Sequence, residues 1–258
     1  MSNPYAQLDL GGRTLLVTGG TGGLGSATAR LCASRGAQVV IADLDADAGT
    51  ALAKDIRADG GEAAFVRTDV TDEAQVKAMV AFAVDTFGGL HGAFNNAGID
   101  NGHKTILEAD LAHWQQNLAV NLTGVFLCLK YEIEHMIATG TSGAIVNTSS
   151  TAGAVGCANA VAYISAKHGV VGLTRSTAVD YSAKGIRVNA VLPGAVNTPM
   201  LEGALEDKAF AEMVARSHPI GRVGQAPEVA ETVAWLLSDA AAFVTGACVS
   251  VDGGFTTQ

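Results

Sequence analysis

The sequence predicts an α/β protein: one doubly wound parallel sheet with helices on both faces. Three observations carry this. Short apolar runs alternate with longer segments of helical character along the whole chain. The first apolar run opens into a glycine-rich loop that starts a helix. No linker, repeat or low-complexity stretch divides the 258 residues. Repeated strand–helix units of this size build a parallel sheet covered on both faces. Chains of roughly 200–250 residues of this class routinely form one domain, so a single domain spanning 1–258 is expected.

The elements follow in order. Residues 13–19 (RTLLVTG) read as a buried strand entering a tight loop. The loop, Gly19-Gly20-Thr21-Gly22-Gly23-Leu24-Gly25, matches G-x-G-x-x-G at Gly20, Gly22 and Gly25, and G-x-x-x-G-x-G at Gly19, Gly23 and Gly25. Residues 26–35 then have helical composition. Strand, glycine loop and helix together make a phosphate site, because glycines let the backbone approach a pyrophosphate and the helix N-terminus offers unpaired N–H groups. Residues 38–43 (QVVIAD) form the second strand, ending in Asp43 eighteen residues after Gly25. In a dinucleotide fold such an acid bonds the adenosine ribose hydroxyls. It would also repel the 2′-phosphate of NADP, and the glycine loop holds no basic residue to compensate. Asp45 serves as N-cap for a helix over 46–58.

Residues 63–67 give a third strand with Asp69-Val70-Thr71 as its turn, and 72–87 an amphipathic helix. A fourth strand, 90–95, is closed by Asn96-Ala97-Gly98. The apolar spacing predicts one long helix over 112–138, then a fifth strand at 144–147, a helix at 161–182, a sixth strand at 186–192, a helix at 227–237 and a last strand at 248–251. The less regular segments 100–110, 152–160 and 197–224 follow the fourth, fifth and sixth strands. Ligands in such sheets bind beyond the carboxyl ends of the strands. These segments are therefore expected to build the substrate pocket, from Asn101, His103, Ala152, Cys157, Asn159, Ala195 and Met200. The last segment, with Met200, Leu201, Leu205, Phe210 and Met213, is expected to hold a mobile lid helix. His103 and His218 are expected at the surface.

The stretch from Ser150 to Lys167 carries the chemistry. Tyr163 and Lys167 stand four apart, and Ser150 lies thirteen positions before the tyrosine. On a helix the pair shares one face, roughly 5–6 Å apart at Cβ. A free tyrosine has a pKa of about 10, and an adjacent ammonium is expected to favour the phenolate. Such a phenol can take a proton from an alcohol or give one to a carbonyl oxygen. Ser150 could hold that same oxygen by a hydrogen bond. A tyrosine and lysine at this spacing occur on many helices by chance, so the surrounding motifs decide the matter.

Those motifs resemble the short-chain dehydrogenase/reductase family over essentially the whole chain. TGGTGGLG at 18–25 is similar to its cofactor loop, and NNAG at 95–98 to its segment beneath the adenine. Asn121, Ser150, Tyr163 and Lys167 match its catalytic tetrad. Pro193-Gly194 with Thr198 resembles its nicotinamide segment, and VDGG at 251–254 its C-terminal signature. More loosely, FGGLHGAFNNAGI, NLTGVFLCLKYEI, HPIGR and WLLSDAAAFVTG resemble the branch with bacterial NAD-dependent cyclic diol dehydrogenases. The resemblance implies a Rossmann-type fold, hydride transfer with a nicotinamide cofactor, and a homotetramer. Cofactor contacts are expected from Gly19, Thr21, Gly22, Gly23, Leu24, Gly25, Asp43, Leu44, Asp69, Val70, Asn96, Ala97, Gly98, Tyr163, Lys167, Pro193, Gly194, Val196 and Thr198, and the acid at 43 implies NAD. It further implies that Lys167 holds the nicotinamide ribose and that Asn121 holds a water passing the proton onward. The expected activity is reversible oxidation of a secondary alcohol, cyclic alcohols and diols included, by NAD. A carbonyl or 3-oxoacyl thioester reductase is the nearer alternative, and a non-catalytic NAD-binding sensor the more distant one.

Composition narrows the partners. The chain is 48% hydrophobic and 16% charged, with a formal net charge of −9, which argues against nucleic acid or an anionic membrane surface. Residues 1–10 (MSNPYAQLDL) lack the basic and apolar regions of a secretory leader. No apolar run approaches the roughly 18 residues of a membrane span. Cys32, Cys128, Cys157 and Cys248 form no Cys-x-x-Cys pair and read as reduced, mostly buried thiols of a cytoplasmic protein. The six histidines include no His-x-x-x-His pair, so no metal is expected.

Overall fold

Central parallel strands must be apolar on both faces, and the chain supplies such runs in the order expected. The computed structural model describes residues 8–257, so most of the 1–10 stretch read for a leader lies outside the described residues. The strands are β1 (Thr14–Thr18), β2 (Gln38–Asp43), β3 (Glu62–Arg67), β4 (Gly92–Asn95), β5 (Gly143–Thr148), β6 (Ile186–Pro193), β7 (Val196–Asn197), β8 (Gly224–Gln225) and β9 (Cys248–Val251). Seven form one parallel sheet in the order β3-β2-β1-β4-β5-β6-β9, and β7 pairs with β8 as a separate two-residue ribbon. Every residue of β1, β4 and β5 is buried, whereas the edge strands β3 and β9 are partly exposed.

Two apolar layers sandwich this sheet. On one face Ala29 and Cys32 of α1 (Gly23–Ser34), Leu52 and Ile56 of α2 (Ala46–Ala58), and Val229 and Val233 of the C-terminal helix Ala226–Leu237 pack together. On the other lie Val76 and Met79 of α3 (Glu73–Phe87), and Leu129 and Ile133 of the helix Val125–Thr139, with Val170 and Ala178 of the helix Val161–Tyr181. Helix starts carry side-chain caps, Asp45 as anticipated and Asp72 in addition. Asp45 accepts from the Ala48 N–H at 2.9 Å, and Asp72 from the Ala74 and Gln75 N–H groups at 2.9 and 3.2 Å. Such caps contribute about 1 kcal/mol each.

Two segments differ from expectation. The single helix predicted over 112–138 is three pieces: α4 (Leu111–Leu118), a π-helical turn (Ala119–Gly124) and α5 (Val125–Thr139). A π turn widens the helix by one residue per turn, and the apolar spacing barely registers so small an insertion. Helix α6 (Val161–Tyr181) follows as expected. The segment 197–224 holds two helices rather than one, α7 (Pro199–Leu205) with proline in its first turn and α8 (Lys208–Ser217) capped by Asp207. The β7–β8 ribbon brackets them, and α9 (Ala226–Leu237) closes the chain's helices.

Among the described residues no helix is long and apolar enough to cross a membrane. Of the cysteines, Cys32 and Cys128 are buried as expected, but Cys157 is exposed and Cys248 intermediate. His218 is a further correction: it is buried, not superficial. Its Nε2 accepts from the Ala195 N–H at 3.1 Å while its Nδ1 lies 2.7 Å from the Val214 carbonyl. It thereby ties the end of α8 to the segment after β6.

Candidate active site

The carboxyl ends of β1, β4, β5 and β6 open onto one cavity of about 630 Å³, at the point where strand order reverses between β1 and β4. One end is shaped by the glycine loop. Gly19 has φ +60°, and a Cβ there would sit 2.8 Å from Ala97 Cα. A Cβ on Gly25 would sit 2.1 Å from the Gly19 carbonyl oxygen, so glycine is required for α1 to seat on the loop. Gly25 therefore shapes the loop from outside the cavity's lining. Gly22 is the N-cap of α1 and offers no side-chain cap, and the first turn is free of acidic residues. Unpaired N–H groups and a partial positive charge at such an end suit a pyrophosphate. Thr21, Gly23, Leu24 and Leu44 line this wall with Asp43.

The Asp43 carboxylate accepts N–H bonds from Thr21 at 3.0 Å, Leu44 at 2.7 Å and Asp45 at 3.3 Å. Asp45, not Asp43, caps α2, so the Asp43 carboxylate is left to face the cavity. Asp69 and Val70 line it beyond, where Asp69 accepts from the Thr71 N–H at 2.9 Å and hydroxyl at 2.7 Å. Asn96, Ala97 and Gly98 are stapled to the glycine loop. The Thr18 hydroxyl accepts from the N–H groups of Asn96 (3.0 Å) and Ala97 (3.1 Å), and the Asn96 amide donates to the carbonyls of Thr18 (3.2 Å) and Gly19 (3.1 Å). Thr18 was missed from sequence; its place at the end of a buried apolar strand was the available signal. Pro193, Gly194, Val196 and Thr198 line the far wall.

At the other end stand Ser150, Tyr163 and Lys167, all lining the cavity. Ser150 opens a short 3-10 turn, its hydroxyl accepting from the Ala152 N–H at 3.2 Å. Lys167 is buried; its Nζ donates to the Thr148 carbonyl at 3.0 Å and lies 5.5 Å from the Tyr163 ring centroid. Burial pushes the ammonium down to about 8. Burial also pushes the Tyr163 phenol up to about 12, against a lowering hydrogen bond with Ser150 and with the Asp100 carboxylate raising it further. The expected lowering of the phenol by its lysine is thus overturned: removing both groups from water outweighs their mutual influence.

Asn121 sits in the π turn and is buried. Its amide closes a two-way clasp on the backbone after β4, donating to the Ile99 carbonyl and accepting from the Ile99 N–H, each at 2.9 Å, and also donating to Asn117 Oδ1 at 3.2 Å. The side chain thereby fixes the loop after β4 to the π turn. Of the pocket candidates, His103, Ala152, Cys157, Ala195 and Met200 line the cavity. Asn101 instead bonds Gln116 at 3.0 Å and Asn117, pinning its loop to α4. Asn159 lies outside the lining as well, with a φ of 59°. Ile99, Asp100, Val155 and Phe255 were not anticipated in the lining. Among the described residues no cluster of His, Cys, Asp or Glu could hold a metal.

A parallel sheet with a glycine loop under a helix end, and a serine, tyrosine and lysine at its far end, defines a nicotinamide-dependent oxidoreductase. The chain belongs to the short-chain dehydrogenase/reductase family. The family description it matches, over residues 19–256, is Enoyl-(Acyl carrier protein) reductase. It is 51% identical over 249 residues to the 2,5-dichloro-2,5-cyclohexadiene-1,4-diol dehydrogenase of Sphingobium indicum, covering 96% of this chain and 98% of that one. The crystal structure of levodione reductase superposes with a TM-score of 0.91 at 40% identity, covering 96% of this chain and 98% of that one. An Agrobacterium tumefaciens protein solved with bound NADP gives a TM-score of 0.91 at 34% identity, over 98% and 99% of the two chains.

Proposed function

We propose that the protein is an NAD-dependent dehydrogenase that reversibly oxidises a secondary alcohol on a small ring, diols included. The observation that carries this is the meeting of Ser150, Tyr163 and Lys167 at the end of a cleft whose other end presents Asp43. The cofactor, when bound, supplies the hydride acceptor. Gly22, Gly23 and Leu24 at the start of α1 would hold its pyrophosphate, Asp43 its adenosine ribose, and Lys167 its nicotinamide ribose. Tyr163 takes the proton from the substrate hydroxyl, and Ser150 holds the oxygen as it becomes a carbonyl. Asn121 acts by fixing Ile99 and the loop after it. Residues 197–224 cover the substrate end, with Met200 and Leu201 against it. The ring-alcohol class is supported by the relative acting on a cyclohexadienediol. A panel of cyclic and open-chain secondary alcohols followed by NADH absorbance tests it, and preference for open-chain or thioester substrates overturns it.

The titrations give a pH profile. The lysine proton leaves near 8 and the phenol proton near 12, so below about 8 the pair is fully protonated. In that state it can donate a proton but not accept one. Oxidation needs an acceptor, so its kcat/KM should rise about tenfold per pH unit up to about 8 and then level. Ketone reduction should run the other way, level below 8 and falling above. Lys167→Ala should lose this break together with cofactor affinity. A steady-state profile in both directions, with a fluorescence titration of NADH, checks both; unchanged NADH affinity would remove the ribose contact.

The protein is further proposed to be a cytoplasmic homotetramer. Apolar side chains remain exposed on α5 and α6: Phe126 is 47%, Ile137 40% and Val179 83% accessible. A second copy would cover them. Light scattering at micromolar concentration should return four times the 26.2 kDa chain mass; a monomer would refute the assembly.

A further inference from the structure

Between the sheet and helices α5 and α6 lies a polar cluster that the chemistry above does not use. Asn95 ends β4, Asn147 lies in β5, Glu132 on α5 and Thr174 on α6, and all four are buried. The Asn95 amide donates to Glu132 Oε2 and to Asn147 Oδ1, both at 3.1 Å, and the Asn147 amide donates to the Thr174 hydroxyl at 3.0 Å. Two atoms are left over. Glu132 Oε1 and Asn95 Oδ1 are buried without a hydrogen-bond partner among the described residues. They belong to the same two groups already joined through Oε2.

An ionised Glu132 would present two acceptors to one amide and leave a buried charge uncompensated. Such a group takes up a proton instead. Burial pushes the carboxyl up to about 8, with only the Asn95 hydrogen bond pulling the other way. Among the described residues no cation stands beside it to offset the charge. β4, β5 and α6 present neutral Asn95, Asn147 and Thr174, and its own helix presents Cys128, buried and itself pushed up by burial and by Glu132. The Lys130–Glu73 pair joining α5 to α3 is solvent-exposed. A protonated carboxyl, by contrast, has one O–H donor. Directed from Oε1 to Asn95 Oδ1, it satisfies both leftover atoms at once.

We propose that Glu132 is a neutral carboxylic acid at neutral pH, closed against the Asn95 amide in a ring of two hydrogen bonds, and that it positions the active site. Asn95 precedes Asn96, whose amide holds the glycine loop, and Asn147 precedes Thr148. The Thr148 carbonyl receives Lys167 Nζ, and its hydroxyl donates to Asn96 Oδ1 at 3.3 Å. The ring thus sets two strand ends, each one residue from a contact that shapes the cavity. Glu132 touches neither substrate nor cofactor; it is a positioning residue.

Glu132→Gln tests this, because a glutamine amide reproduces the donor and acceptor of the neutral acid. An acid whose folded pKa is raised from 4.5 to about 8 gives stability present below 4.5 and lost as pH rises through 8. Parent and variant should therefore unfold alike near pH 5. Above that, the parent's unfolding constant should gain on the variant's by up to about tenfold per pH unit, levelling beyond 8. Infrared difference spectra at pH 7 should show a protonated carboxyl band in the parent that the variant lacks. For positioning, the KM for NAD should rise more above pH 8 in the parent than in Glu132→Gln, the Lys167 titration being common to both. Glu132→Leu should raise that KM on the order of tenfold, the loss of about one hydrogen bond, with kcat changed less. A variant less stable than the parent at every pH, with no carboxyl band lost, overturns the neutral acid. Identical KM profiles for parent and Glu132→Gln overturn the positioning role even if the Leu variant does not fold.

Discussion

Tyr163→Phe is expected to lower kcat for alcohol oxidation by at least about 10³-fold, within the range that general acid–base groups supply. Melting temperature and NADH affinity should stay near those of the parent. Only one oxygen is removed, and the ring's place on α6 is kept. The phenol stands pushed up to about 12 by burial, so at neutral pH it is a proton carrier and not a standing base. On the proposed mechanism its neighbour Lys167, pushed down to about 8, would accept the proton that the phenol gives up. Removing the oxygen breaks that route in both directions, so ketone reduction should fall by a similar factor. The measurement is kcat in each direction alongside an NADH titration. A variant keeping most of its turnover would take Tyr163 out of the proton transfer.

Discrimination between cofactors should be nearly as large. The kcat/KM with NAD is expected to exceed that with NADP by at least about 100-fold, or about 2.7 kcal/mol in transition-state terms. Asp43 is held across the end of the cleft by three backbone N–H groups, so its carboxylate cannot swing aside without leaving them unpaired. NAD would offer it two hydroxyl donors. NADP would bring a phosphate against it, and like charges set against each other in a specific site cost several kcal/mol. Leu44 beside it carries no compensating charge. Asp43→Ala should narrow the ratio by weakening NAD and relieving NADP together. Equal use of both cofactors by the parent would sink the assignment; a ratio unchanged in Asp43→Ala would move the recognition to another residue.

What the sequence made legible was whatever rests on local rules. The glycine loop, Asp43 at a strand end and the Tyr163–Lys167 spacing are set by turn geometry and helical periodicity, and each stands where expected. What was missed or misread shares a different cause. Glu132 was not singled out from the sequence, yet it is wholly buried because α5 is covered on that side by β4, β5 and α6. His218 follows a lid helix and looks superficial, but the segment after β6 folds over it. The phenol was expected to be lowered by its charged neighbour, and desolvation of both reversed the sign. Each depends on which elements meet in space, and a pattern along one segment carries no record of that.

The widened turn at Ala119–Gly124 has a bearing on how this chain tolerates insertion and loss. A π turn takes up about one residue more than an α turn in the same revolution, so a one-residue deletion there would leave an unbroken helix with Leu127, Ile133 and Met136 still packed in the core. What it would change is Asn121, which sits in the widened turn and would lose its hold on Ile99. The wide turn is slack held in the helix for the benefit of the cleft: the core tolerates its tightening, and the loop after β4 does not.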